Sequence, residues 1–447
     1  MPTLLLAAVL AASASAPAAT VEIPHERYEL PNGLDVILSE DHSVPFVWVN
    51  IWYDVGSKDE KPGRTGFAHL FEHLMFQGSA HYDDDYFKPL QAVGAEINGT
   101  TNFDRTNYFE GVPAAQLPLA LWLESDRMGW LLPALTDEKL QNQKDVVRNE
   151  RRQRYEVPPY GMVWVWLFEA LYPPDHPYHV PTIGKHEDLA AATREDVSTF
   201  FQTWYVPNNA SLSIVGDFDP AEAKKLVELY FGEIPRGADV SSLKERPAVL
   251  TAENVVRKEH KVPDPKVWVA WLSPKLFAPG DAEMDALSLV LADGKDSRLY
   301  KRLVIDKKVA KSVSAYQFSA ALQSQFIVEA TAAEGRTTDE LVREIDAVLA
   351  ELREKGPSPD EVVIARTSME RGFWESLQTI SGKADLLNNY NIRTGNPGFI
   401  GQDLARYTAL TAPALHEVAR AVLVADKRVV LHVNPPPVAA APAATGK

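Results

Sequence analysis

The strongest constraint on the fold is that the second half of the sequence echoes the first. Val47-Trp48-Val49-Asn50-Ile51 returns as Val267-Trp268-Val269-Ala270-Trp271, and each run is followed by a polar turn and a helical pattern ending near a glycine. Between them, residues 236–250 are rich in Gly, Pro and Ser and form a linker near the middle of the chain. Self-similarity at this scale implies duplicated units. Residues 21–235 and 251–434 are therefore expected as two similar α+β domains, each a mainly antiparallel sheet with helices packed on one face. At 447 residues, two domains of ordinary size are also what length alone suggests.

Within the first half, residues 34–38, 47–52 and 211–217 read as strands, and residues 66–76 and 137–155 have helical spacing. Asp219-Pro220 reads as a helix start, with an acceptor at the cap and proline at the first helical position. Laying Gly294 on Gly78 puts Asp285, Ser288 and Leu289 where the first half has His69, Glu72 and His73. Only the first copy then carries the chemistry.

That chemistry centres on His69-Leu70-Phe71-Glu72-His73. On a helix, residues at i, i+3 and i+4 share one face, so two imidazoles and a carboxylate converge while the apolar neighbours anchor the helix. With no cysteine in the chain, any metal must sit on His, Asp or Glu. A neutral imidazole pair suits Zn²⁺, which keeps a position for water in catalytic sites and brings that water's pKa to about 7. Glu72 is placed to take the proton. A third ligand is expected from another helix, and residues 141–156 offer Asp145, Glu150 and Glu156, between which periodicity does not choose.

His-x-x-Glu-His is the inverted form of the common zinc-protease string. Together with Val146-Val147-Arg148-Asn149-Glu150-Arg151-Arg152-Gln153, in which Glu150 stands 77 positions after His73, it resembles the pitrilysin or insulinase family, most closely its short-chain, processing-peptidase-like branch. Further similarities run through Pro31-Asn32-Gly33-Leu34, His176-Pro177-Tyr178, Pro207-Asn208-Asn209 and Gly216-Asp217. The resemblance implies a zinc endopeptidase with one Zn²⁺ per chain on His69, His73 and Glu150, and with Glu72 as general base. It also implies that a peptide substrate adds as a strand along Gly94 to Asn102, touching Asn98, Gly99 and Thr100.

Two departures from the family stand out. Gln143, seven residues before Glu150, replaces a glutamate that supports the zinc site, and a neutral amide can still hydrogen-bond there. An Arg and a Tyr that reach the substrate from the second half of active relatives fall here on Val304 and Lys311. Arg298, Arg302 and Tyr316 lie nearby without the family spacing. The expected partner is accordingly a related zinc-less subunit that supplies the pair in a heterodimer, in preference to a homodimer, the two chains closing into a chamber. The competing expectation is a non-catalytic assembly subunit of the same fold.

The acidic balance, 61 Asp and Glu against 45 Lys and Arg for a net charge of −16, argues against nucleic-acid binding. Residues 1–20 read as a secretory signal peptide, with an apolar Leu4–Ala12 run too short to cross a bilayer and Ala-x-Ala sites after it. No later segment reads as a membrane span. A periplasmic or secreted bacterial protein is expected, ending in a flexible tail over 435–447.

Overall fold

The computed structural model describes residues 21–240, 243 and 245–437. The signal-peptide stretch and residues 438–447 of the tail lie outside the described residues. Eleven strands form two sheets among these residues. The first holds β1 (Glu26–Glu29), β2 (Asp35–Glu40), β3 (Phe46–Tyr53), β4 (Glu96–Thr101), β5 (Thr106–Pro113) and β6 (Ala210–Gly216), in the order β1-β2-β6-β3-β5-β4. The second holds β7 (Asn254–Glu259), β8 (Lys266–Ser273), β9 (Ala310–Phe318), β10 (Ser324–Ala332) and β11 (Val429–Asn434), in the order β7-β11-β8-β10-β9.

Set β1 aside and the two sheets are the same. Each begins with one parallel pair, β2 with β6 and β7 with β11, and every other pair is antiparallel. The echoed runs are β3 and β8, which hold equivalent central positions. The helix Phe67–Leu74 lies between β3 and β4, and the helix Asp281–Ala292 lies between β8 and β9. The helix Asp281–Ala292 therefore holds the topological place of the His69 helix, and the duplicated α+β fold read from the sequence is the fold of the chain.

Strand alternation explains both cores. Val47, Val49, Ile51 and Tyr53 of β3 point into a core with helices of the first half, while Trp48 points into a separate cluster on the other face. In β8, Val267, Val269 and Trp271 share one core, and Trp268 and Ala270 share another. Strands buried on both faces read as near-continuous apolar runs, as these do, with Asn50 the one polar break in β3.

The second face of each sheet is covered by a helix from the opposite half. Val163–Leu171 sets Leu167, Phe168 and Leu171 against Trp268, Ile327 and Leu431. In return, Ile380–Thr394 sets Ala384, Leu387 and Tyr390 against Ile37, Trp48 and Val215. Each sheet thus carries its own helices on one face and a borrowed helix on the other.

Candidate metal centre

The helix Phe67–Leu74 begins at Gly66, whose left-handed backbone (φ 87°) suits glycine. The Glu60 carboxylate accepts the first orphan N–H groups, from Gly66 and Ala68, both at 2.9 Å. Gly184 presses on this start so closely that a Cβ there would stand 2.4 Å from the Gly66 Cα. Leu70, Phe71 and Leu74 fix the helix in the core and turn His69, Glu72 and His73 the other way.

The second helix, Asp137–Arg151, starts on Thr136, whose hydroxyl accepts the Lys139 N–H at 3.1 Å. Near its end Glu150 meets the histidines. Its Oε2 lies 3.1 Å from His73 Nε2 and 3.6 Å from His69 Nε2. The two rings stand perpendicular with centroids 4.8 Å apart. Among the described residues this is the group of three metal-ligating side chains whose donor atoms gather within 4.8 Å. A tetrahedral centre with bonds of about 2.0–2.1 Å separates its ligand atoms by about 3.3 Å, so the donor set fits zinc.

Protonation favours the same chemistry. Burial pushes the His69 pKa down to about 4, leaving a neutral ring with a free lone pair. Burial pushes Glu150 up, but its bond to His73 and the charges of His69, His73 and Arg154 hold it below the usual carboxylate range. Burial raises Glu72, with Thr101, His73 and Arg105 opposing the rise.

Asp145 and Glu156 do not join the group. Asp145 is exposed and bonds Gln141 and Arg148, and Glu156 holds Arg151 and His186. His176 and His179 cap their own turn, through Tyr178 N–H and the Tyr172 carbonyl.

A cavity of about 500 Å³ opens over these groups. Asn98, Gly99, Thr100 and Thr101 of β4 line one wall, and Gln143 and Arg154 line another. Gln143 is 4% exposed, two helical turns before Glu150. β4 ends its sheet, so one side of it is unpaired among the described residues. Asn98 Oδ1 accepts the Gly99 N–H at 2.9 Å, and a Cβ at Gly99 would stand 3.0 Å from the Tyr108 ring. Thr101, Arg154, Phe76 and Phe87 also line the cavity without having been singled out by the sequence for that place. Arg154 was legible in principle, one turn beyond Glu150, to whose Oε1 it donates at 2.7 Å.

In the second half, Arg298 grips Glu361 through two bonds of 2.6 and 2.7 Å, and Arg302 grips Glu344 at 2.6 Å. Tyr316 packs beside the borrowed helix Val163–Leu171. None of the three lines the cavity. No helix among the described residues is long and apolar enough to cross a membrane.

Comparison with known proteins places this geometry. Residues 35–160 match the family described as Insulinase (Peptidase family M16), and residues 191–369 match the Peptidase M16 inactive domain. The zinc protease PqqE of Helicobacter pylori is 28% identical over 382 residues, covering 84% of this chain and 85% of the relative. A crystal structure of a protease from Helicobacter pylori superposes with a TM-score of 0.85 at 26% identity, over 92% of this chain and all of that one. At the level of fold, the first half of the periplasmic protease PqqL of Escherichia coli gives a TM-score of 0.76 at 17% identity, covering 92% of each chain. Against the whole of PqqL, this chain covers 48%.

Proposed function

The chain belongs to peptidase family M16, the insulinase family, and from that premise we propose that it is a zinc-dependent endopeptidase acting on peptides or unfolded polypeptides. The observation that carries the reading is the meeting of both imidazole Nε2 atoms with one oxygen of Glu150, beside a carboxylate on the same helix face. His69, His73 and Glu150 would hold one Zn²⁺, with Gln143 and Arg154 supporting them. When bound, the ion supplies Lewis-acid polarisation of a carbonyl and a lowered pKa for water at its open position. Glu72 takes the proton of the attacking water on its carboxylate and returns it to the leaving amine. The free side of β4 receives the peptide backbone as an added strand, with Asn98, Gly99 and Thr100 in contact, so main-chain bonds give affinity.

The description as an inactive domain falls mainly on the second half, where the helix Asp281–Ala292 takes the topological place of the His69 helix. It speaks against chemistry in that half and leaves His69-x-x-Glu72-His73 untouched. We take residues 21–235 and 251–434 as the two homologous units, joined by 236–250.

Val304 and Lys311 stand where active relatives carry the Arg and Tyr, and Lys311 pairs with Asp264 at 2.6 Å. A partner of the same fold without the zinc motif would supply that pair, and the match to about half of PqqL supports a chamber built from two such units. The signal-like start and the periplasmic character of PqqL support a periplasmic or secreted location.

Glu72→Gln tests the reading. It should keep zinc and lower turnover of a quenched peptide by a factor of about 10²–10⁴. Retained turnover refutes the base, and full activity of the purified single chain refutes the need for a partner.

A further inference from the structure

The turn that follows β4 ties the candidate site to the second half. Asn102 closes the β4–β5 hairpin by donating its N–H to the Arg105 carbonyl at 3.0 Å. Phe103 leaves the first core: its ring packs on Phe168 and Tyr178, and stands 6.1 Å from Phe318 of β9. Asp104 Oδ2 accepts the Ala321 N–H from the β9–β10 hairpin at 2.8 Å, and its carbonyl accepts from Arg393 of the borrowed helix Ile380–Thr394 at 3.1 Å.

Arg105 turns back under β4. Its Nη1 donates to the Thr100 carbonyl at 2.9 Å and also to the Thr100 hydroxyl. The guanidinium lies over Trp52, 4.9 Å from the ring centre, and its Nε is buried without a partner. The charges that face it are Asp385 and Arg393 of the borrowed helix, together with Glu72 and Asp104. A hydrogen-bonded route joins Asp385 to the same strand. Asn50 donates to Asp385 Oδ1 at 3.4 Å, Asn107 donates to Asn50 at 3.1 Å, and Asn107 Oδ1 accepts the Thr100 hydroxyl at 2.6 Å. Asp385 is thus linked to the edge strand by one hydrogen-bonded path, while its charge faces Arg105 from beyond ion-pair distance.

We propose that Arg105 is a positioning residue that fixes edge strand β4 relative to the Glu72 carboxylate, and that Asp385 supports the same strand through Asn50, Asn107 and Thr100, so that substrate alignment in the first half depends on the second. The inference rests on the peptidase reading above. A peptide added to β4 presents its scissile bond to Glu72 only as accurately as β4 itself is held. A misplacement of about 1 Å at a reacting centre costs about a hundredfold in rate. The Arg105 guanidinium, bonded to Thr100, supplies such a hold, and the path from Asp385 gives the half without a metal motif a part in aligning the substrate.

The test compares Arg105→Met, Arg105→Lys and Asp385→Asn with the parent chain, each as the full zinc-loaded protein with its partner subunit if one is required. Three quantities are measured: kcat and KM on a quenched peptide, zinc content, and amide hydrogen exchange of residues 96–101. Arg105→Met should lower kcat by about 10–100-fold with little change in KM, as expected of lost alignment. Arg105→Lys, which keeps a donor for the Thr100 carbonyl, should recover most of that loss. Asp385→Asn should move kcat the same way by a smaller factor, and carries the test if Arg105→Met does not fold. Exchange over 96–101 should quicken in Arg105→Met and Asp385→Asn at unchanged zinc content. Parent-like kcat and exchange in Arg105→Met overturn the proposal, as does a rise in KM alone or faster exchange across the whole first sheet. A parent chain that cleaves no peptide would refute the peptidase reading instead, and the exchange measurement would still decide whether Arg105 and Asp385 hold β4.

Discussion

Replacing Arg127 with methionine tests what holds the wall beneath the cavity. Arg127 is 1% exposed, and Glu124 and Glu110 are fully buried beside it. Its Nε donates to Glu124 Oε2 at 2.9 Å, and a second bond runs from Nη2 to Oε1. The rings of Tyr86 and Tyr108 centre 4.1 and 4.3 Å from the guanidinium, and Tyr108 is the cross-strand neighbour of Gly99. Methionine keeps much of the volume but removes the one positive charge of this cluster. Breaking a buried pair by deleting one member costs about 3–5 kcal/mol. The lost cation–ring contacts add to that, and the new side chain's packing offsets part of it. A net loss of about 4 kcal/mol lowers Tm by roughly 8–16 °C for a unit of this size.

The loss should depend on pH. Burial, with the Glu124 charge, holds the Glu110 pKa well above the carboxylate range, and Arg127 opposes that rise. A carboxyl raised in the folded state contributes stability that is full below its unfolded pKa, about 4.3, and lost as pH rises through the folded value. Without Arg127 the folded value rises further, so the deficit widens once pH passes the point where the parent's own Glu110 proton leaves, and it should be no smaller at pH 8 than at pH 5. Thermal and urea unfolding of metal-free protein, followed by tryptophan fluorescence at both pH values, measures it. A deficit under about 1 kcal/mol, or one larger at pH 5 than at pH 8, would refute the account of this cluster as a paired buried charge.

Three further outcomes follow from other sites. Burial, with the Asp281 charge, pushes the Asp285 pKa up to about 7, and the Tyr407 hydroxyl donates to it at 2.8 Å. The stability held by its protonated form is full below about 4 and lost as pH rises through about 7, so Asp285→Asn should flatten the pH 5–8 slope of the urea midpoint. Leu387→Ala, on the fully buried face of the borrowed helix, should cost about 2–5 kcal/mol in denaturant unfolding. Glu150→Gln should lower zinc content by elemental analysis and abolish the stabilisation that zinc gives the parent, about 2.7 kcal/mol at a hundred times Kd.

The candidate metal group was legible because both histidines and Glu72 lie within five consecutive residues of one helix, where spacing alone decides which side chains share a face. Glu150 was legible only through the resemblance. Asp145 and Glu156 fit the same helical run, and it took the packed structure to send one to solvent and the other to Arg151 and His186. The duplication was legible in β3 and β8, whose apolar runs reflect burial on both faces. The exchange of helices was not. Ile380–Thr394 buries Asn388 and Asn391 on Ser211, Ser213 and Asn50 alongside Leu387 and Tyr390, a mixed face with no simple apolar stripe. Hydropathy also says which face is buried, not which sheet it is buried against. Arg105 was hidden for a related reason: it bonds Thr100 beside it, but the charges of Asp385 and Arg393 that face it lie on a helix some 280 residues away.

The borrowed helices also set an order on the making of the protein. The last strand of the first sheet ends at Gly216, but the helix that covers its outer face ends at Thr394. At about 5–20 residues per second of synthesis, that face waits roughly 10–35 s for its cover. During that interval Trp48, Val215 and the polar row of Asn50, Ser211 and Ser213 stand open to chaperones and to neighbouring nascent chains. The first half is completed only when the second is nearly finished, so a chain cut short before residue 380 would display a bare sheet face instead of a smaller working domain.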